Sequence, residues 1–205
     1  MSQAWPEMEE QTLPAEFAHE EESIKITGFW MFLVTDVLIF ASLFSLYAVY
    51  AGRMGGEPNP ATFFHLGPAL AETLLLLTSS FTVGLAIWFM RRRQVGAMTA
   101  WLVATLVLGA TFVAIEAREF LGDIQSGYTW HQSAFLSAFF TLVGTHGAHV
   151  TFGILMALTL LIQVARRGLT PVTARKLYTF SLYWHFLDVV WIFIYSVVYL
   201  GGRLG

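Results

Sequence analysis

SAFLSAFFTLVGTHGAHVTFGILMALTLLIQV, residues Ser133–Val164, runs for 32 residues without an Asp, Glu, Lys or Arg. A helix needs about 20 mainly apolar residues to cross the hydrocarbon of a bilayer. The stretch therefore reads as a membrane span, long enough to be tilted or to extend past the interface. Near its middle lie two imidazoles, His146 and His149. Ionisable groups at the centre of a membrane helix cost about 2.5–3.5 kcal/mol each on insertion scales and are tolerated when they have partners.

Four further segments meet the same length criterion: Thr27–Tyr50, Pro68–Met90, Gly96–Phe120 and Leu177–Leu200. Chain breakers fall between the five, in Gly52–Pro60, the Arg91–Gln94 turn, Gly122–Tyr128 and Gly168–Ala174. The composition agrees. Of 205 residues, 56% are hydrophobic and 12% charged, against about 25% charged in ordinary soluble domains. The expected fold is all-α, an integral membrane bundle of five transmembrane helices formed by residues 23–205. Residues 1–22, with Glu7, Glu9, Glu10, Glu16, Glu20, Glu21 and Glu22 and no Lys or Arg, read as a solvated, disordered acidic tail. The charged-then-apolar order of a signal peptide is missing, so an uncleaved chain is expected.

Charge sets the orientation. With the N-terminus inside, the inner flanks carry Lys25, Arg91, Arg92, Arg93, Arg166, Arg167, Arg175 and Lys176, and the outer flanks only Arg53, Arg118 and Arg203. The positive-inside rule then predicts a cytoplasmic N-terminus and a periplasmic C-terminus. Arg91–Arg93 is a topology determinant that also suits anionic lipid headgroups. No basic patch fits a nucleic acid. With no cysteine in the chain, disulfides, thiolate metal sites and cysteine nucleophiles are excluded.

The embedded polar groups fall into two layers when each is counted at 1.5 Å per residue from its inner flank. Asp36 (about 16 Å), His185 (about 14 Å) and Asp188 (about 18 Å) share a layer near the midplane. Glu72, Glu116 and His146 (about 28–30 Å) and His149 (about 25 Å) form an outer one. His185 and Asp188, three apart, face the same side, as do His146 and His149, and Glu116 and Glu119; of these, His185 and Asp188 are placed to hydrogen-bond directly. In the outer layer, Glu72 and Glu116 are each placed to accept from a histidine of the fourth span. Gly144, Gly147, Ala148 and Thr151 let a neighbouring helix approach the imidazoles closely. The plain alternative for His146, His149, Glu72, Glu116, His185 and Asp188 is structural: polar glue between helices. Asp36 sits alone among Val34, Val37, Leu38 and Ile39, so its partner must come from another helix, from lipid or from water.

Four motifs carry a resemblance: Ser137-Ala138-Phe139-Phe140, Val143-Gly144-Thr145-His146-Gly147, Ala165-Arg166-Arg167-Gly168-Leu169-Thr170 and Trp184-His185-Phe186-Leu187-Asp188-Val189-Val190-Trp191. The chain resembles the subunit III family of the haem-copper oxidases, and within it the cytochrome bo-type ubiquinol oxidase branch, in which five helices replace the seven of other members. The resemblance implies a non-catalytic accessory subunit of a proton-pumping terminal quinol oxidase in the bacterial inner membrane. It implies oxidase subunit I and the other subunits as partners, with haems and copper in subunit I and none bound by this chain. It also implies bound phospholipids in a cleft between the first two helices and the rest, and support for proton uptake into subunit I. Asp36 matches the buried carboxylate that reacts with carbodiimide in cytochrome c oxidases, where it is glutamate. Glu116 and Glu119 match a carboxylate pair, and Arg118 between them has no assigned role.

Other readings stay open at this stage. One is an accessory subunit of a nitric oxide reductase or of a cytochrome c oxidase. Another is a membrane b-type cytochrome ligated by His146, His149 and His185, although two bis-histidine haems need four ligands. A small transporter or proton channel built on Asp36, Glu72 and Glu116 is the third, without the broken helices and inverted repeats such proteins often show.

Overall fold

In the computed structural model, residues 21–51 and 66–204 are described, with side chains for 27–51 and 66–202. The expected acidic tail and the Gly52–Pro60 linker therefore lie outside the described residues, apart from the helical backbone at 21–22. The helices are α1 (Glu21–Ala51), α2 (Leu66–Arg91), α3 (Val95–Gln125), α4 (Ala134–Arg167) and α5 (Pro171–Ile194). A π-helical turn, Tyr195–Leu200, and a short turn, Gly201–Leu204, continue α5. All five are long and apolar enough to cross a membrane.

Three boundaries depart from the sequence reading by five or six residues: the first helix begins at Glu21, before the expected Thr27. The third span runs on to Gln125, past Gly122, and stops where Gly127 adopts φ 93°. The fifth begins at Pro171, inside the expected linker. Pro171 lacks an N–H that the first helical turn would leave unpaired anyway. Thr170 and Thr173 close a reciprocal capping box in front of it. The α2–α3 turn is tight: Arg93 takes φ 54°, and the Gln94 N–H donates to the Phe89 carbonyl at 3.0 Å.

Helices α2, α3, α4 and α5 close into a ring, each packed on its two neighbours, while α1 lies outside against α4 and α5. The first two helices are therefore not packed together as a pair set against the rest. Helix α2 belongs to the ring, packing on α3 and α5, and α1 stands apart from it. Leu33, Asp36, Phe40 and Tyr47 are the buried residues of α1. Their spacing of three, four and seven puts them on one helical face, while Trp30, Met31, Val34 and Leu38 point outward.

Where every helix surface is apolar, close packing and interhelical hydrogen bonds decide association. Trp184 concentrates both. Its indole Nε1 donates to Ser79 Oγ of α2 at 2.9 Å, and its ring fills a slot between two glycines. A Cβ on Gly109 of α3 would lie 2.7 Å from the Trp184 Cη2, and one on Gly153 of α4 2.9 Å from Cζ3. Two turns further along α5, Trp191 Nε1 donates to Thr73 Oγ1 at 3.1 Å. Trp184 with Ser79 and Trp191 with Thr73 are the rungs of an antiparallel α2–α5 seam. The Thr82 and Thr105 hydroxyls, 2.8 Å apart, join α2 to α3.

Thr73→Val keeps the shape and removes the acceptor, leaving the buried Trp191 N–H unpaired. The expected loss is about 0.6–1.7 kcal/mol, the range found for interhelical hydrogen bonds in membranes. Thermal melting of the detergent-solubilised protein checks it; an unchanged midpoint would mean that Trp191 is held by packing alone.

Candidate functional site

The embedded polar residues gather at three places. At the first, α1 meets α4. His149 Nδ1 lies 2.7 Å from the carbonyl oxygen of Thr145, one turn earlier. A carbonyl only accepts, so Nδ1 carries the hydrogen and Nε2 is left facing outward from its helix. Nε2 lies 3.8 Å from Asp36 Oδ1, with the carboxylate side chain 5% and the imidazole 23% exposed. That distance is too long for a hydrogen bond but within ion-pair range. Phe40, one turn after Asp36, packs its ring 5.2 Å from the His149 ring, and the Tyr183 hydroxyl of α5 donates to the His149 carbonyl at 3.0 Å. The partner that Asp36 required from another helix is thus His149, which the depth count had assigned to the other layer.

At the second place, α2 meets α5. The expected direct bond between His185 and Asp188 is replaced by Ser80, whose hydroxyl lies 3.0 Å from His185 Nδ1 and also interacts with the Asp188 carboxylate. A hydroxyl can both donate and accept, so Ser80 bonds the imidazole while standing beside the carboxylate, whose Oδ1 has no hydrogen-bond partner. The sequence signal was the Thr78-Ser79-Ser80 run, whose members all sit in the second span.

The third place holds Glu72 of α2 with Glu116 and Glu119 of α3, which are mutual electrostatic neighbours. Glu72 is fully buried and Glu116 nearly so. The Glu116 carboxylate lies directly on the backbone of α4, where a Cβ on Gly147 would meet its Oε2 at 2.6 Å. The glycine therefore admits a carboxylate rather than another helix backbone.

The expected carboxylate–imidazole bonding with the fourth span does not form at His146, whose two ring nitrogens have no hydrogen-bond partner. Aromatic rings enclose it instead: Trp191 at 5.2 Å, Phe112 edge-on at 5.9 Å and Phe40 at 6.3 Å between centroids. Ring-to-ring packing holds His146 in place, and a porphyrin over it would have to displace those rings. Among the described residues, no three His, Asp or Glu side chains converge as a metal-ligand set.

Arg91 ends α2, and Arg92 places its guanidinium 3.7 Å from the centre of the Trp88 ring, a cation–π contact. Arg91, Arg92 and Arg93 are all exposed. They are grouped at the end of the bundle where α2 turns into α3, together with Trp88, which is 44% exposed.

Comparison with known proteins bears on what such a bundle serves. A family model described as cytochrome c oxidase subunit III matches residues 8–203. The quinol oxidase subunit 3 of Bacillus spizizenii is 46% identical over 192 residues, spanning 94% of both chains. The cytochrome bo(3) ubiquinol oxidase subunit 3 of Pseudomonas aeruginosa is 45% identical over 187 residues, 91% of this chain and 90% of that one. The cytochrome c oxidase subunit 3 of Bacillus subtilis is 46% identical over 182 residues, 88% of each. Identity alone thus does not separate quinol from cytochrome c as the electron donor of the relatives' complexes.

Proposed function

The chain belongs to the cytochrome c oxidase subunit III family, and from that premise we propose that it is the accessory subunit III of a proton-pumping terminal ubiquinol oxidase. It sits beside catalytic subunit I in the bacterial inner membrane, with its N-terminus in the cytoplasm and its C-terminus in the periplasm. Haems and copper are held by subunit I; this chain stabilises that subunit, binds phospholipid and supports proton uptake. The observation that carries the reading is end-to-end similarity to subunits 3 of oxidase complexes, joined to a core whose histidines are spent on structure. His146 is walled in by rings, His149 is committed to Thr145 and Asp36, and His185 is held by Ser80. The quinol rather than the cytochrome c branch is favoured by the Ala165–Thr170 motif and by aspartate at position 36.

Lipid belongs to the outward faces of the helices, where Trp30, Met31, Leu38, Leu74 and Phe81 are exposed, with Arg91–Arg93 as partners for phospholipid headgroups at one end. An accessory role has a direct test. Deleting this chain from the complex should leave oxygen reduction detectable and the haem content of the remaining subunits unchanged, and the intact complex should oxidise ubiquinol rather than reduced cytochrome c. Loss of all oxygen reduction while subunit I stays folded and loaded would overturn the accessory assignment. Oxidation of cytochrome c instead of quinol would move the chain to the sister branch. Purifying this chain alone with a bound porphyrin would replace both readings with a cytochrome.

A further inference from the structure

Of the embedded ionisable groups, Asp36, Glu72, Glu116, His146 and Asp188 are buried and His149 is half-buried. His185 is exposed, although it stands near the middle of the Pro171–Leu200 span. Its Nδ1 lies 3.0 Å from the Ser80 hydroxyl, and no described residue bonds its Nε2. An imidazole nitrogen always has a hydrogen to donate or a lone pair to fill. Hydrocarbon serves neither, which is why ionisable side chains within membrane helices face a protein interior, a partner group or a water-filled cavity. Asp188, one turn from His185, adds a second unmet need: it is buried, and its Oδ1 has no hydrogen-bond partner.

The surroundings suit a further helix. Phe186, next to His185, packs on Phe40 of α1 at 6.3 Å between ring centroids, while His185 itself meets α2 at Ser80. Helices α1 and α2 are not packed on each other, so α5 presents an open face between them. Val189 and Ile192 continue that face from His185 at helical spacing, and both are exposed. Toward the other end the residues become small. Ser79 meets Trp184, Ser80 meets His185 and Thr73 meets Trp191, so α2 and α5 run antiparallel in step. Gly84, one turn on from Ser80, is therefore level with Ser181, one turn back from His185. A Cβ on Gly84 would have nothing within 4 Å. In a membrane, small residues let a helix backbone come close and polar side chains bond across the contact. A lipid chain could cover the same face, but it would leave Nε2 unpaired.

We propose that a membrane helix of the catalytic subunit docks along α5, between α1 and α2, and places a hydrogen-bonding side chain on His185 Nε2. The inference rests on the accessory reading above and adds to it the face that makes the contact. Leu74 and Phe81 lie on another side of α2, since Phe81 and its neighbour Ser80 do not share a face, and they stay with lipid. Ser80 is a positioning residue here: its bond to Nδ1 fixes the ring so that Nε2 points to the partner.

The test uses the intact complex purified in mild detergent. With Val189 replaced by p-benzoylphenylalanine, illumination should join this chain to the catalytic subunit, identified by peptide mass. The same photoreactive residue in place of Leu74 should give no such product. His185→Phe should lower the share of complexes that retain this subunit by about fivefold, the size of one interhelical hydrogen bond. His185→Gln, which keeps a hydrogen-bonding group, should recover most of that loss. Because His185→Phe also removes the bond to Ser80, Gly84→Leu gives an independent reading: its side chain meets nothing within this chain, yet it should lower retention at least as much. Photoproducts with lipid or quinone alone, or with a second copy of this chain, overturn the proposal and leave the accessory reading standing. Wild-type retention in both Gly84→Leu and His185→Phe does the same. A wild-type preparation that brings down no oxidase subunit overturns the accessory reading, and the proposal with it.

Discussion

Asp36→Ala is expected to leave the haem content of the oxidase unchanged while shortening the working life of the complex under turnover several-fold. The reason lies in how α1 is held. It packs mainly on α4 and α5, and most of its span faces outward, with Trp30, Met31, Val34 and Leu38 exposed. Its one embedded charged group is Asp36, aimed at His149 across the α1–α4 contact. Removing the carboxylate deletes the contact that Asp36 makes with His149 at 3.8 Å, worth on the order of 1 kcal/mol for a partly exposed ion pair. That is roughly a fivefold change in the equilibrium holding α1 to the ring. The ring itself, stitched by Trp184 and Trp191, does not depend on Asp36, so assembly and haem loading survive.

A cycle of variants separates the pair from either residue alone. Groups that act on each other give non-additive effects, so Asp36→Ala with His149→Ala should be little worse than the more damaging single change. Amide hydrogen exchange supplies a second reading: the backbone of α1 should exchange faster in both single variants while α2–α5 keep their protection. Wild-type lifetime in Asp36→Ala would remove Asp36 from any functional account, and loss of haem would make it an assembly residue instead.

The five spans were legible because span length and apolarity are local properties, fixed by the thickness of a bilayer. Thr27–Tyr50 ends one residue before its helix does, but that helix begins six residues earlier, at Glu21. The fifth helix was cut short at its start because Gly168, Thr170 and Pro171 together look like a breaker. Only the reciprocal bonding of Thr170 and Thr173 shows that the proline opens the helix. The pairing of polar groups was not legible. Counting from basic flanks placed Asp36 and His149 about 9 Å apart in height, yet they meet. The count assumed that every flank lies in one plane, whereas α4 has 34 residues, about 51 Å of helix, longer than a bilayer's hydrocarbon needs. The bridging role of Ser80 and the slot around Trp184 depend on which faces meet, and one helix's periodicity does not fix that. Two tryptophans seven apart opposite Thr73 and Ser79 were the available hint.

That slot gives the sharpest test of the packing, because the expected sign reverses between two glycines. Replacing a helical glycine by alanine favours the helix by up to about 1 kcal/mol when the new methyl has room. Gly84 of α2 has nothing within 4 Å of its would-be Cβ, so Gly84→Ala should leave stability unchanged or raise it. At Gly109 the same methyl would stand 2.7 Å from Cη2 and 2.9 Å from Cζ2 of Trp184. The indole cannot withdraw. Its other edge is pressed on Gly153 and its Nε1 is bound to Ser79. Overpacking of this kind costs about 1–3 kcal/mol, so Gly109→Ala should lower the melting temperature of the solubilised protein. Trp184→Phe, whose smaller ring frees the space beside Gly109, should absorb most of that loss when combined with it, giving a coupling of the sign and size seen between contacting residues. Additive losses in the double variant, or a Gly109→Ala protein as stable as Gly84→Ala, would mean that α3 can slide away from the indole. The ring of α2, α3, α4 and α5 would then be looser than its glycines imply.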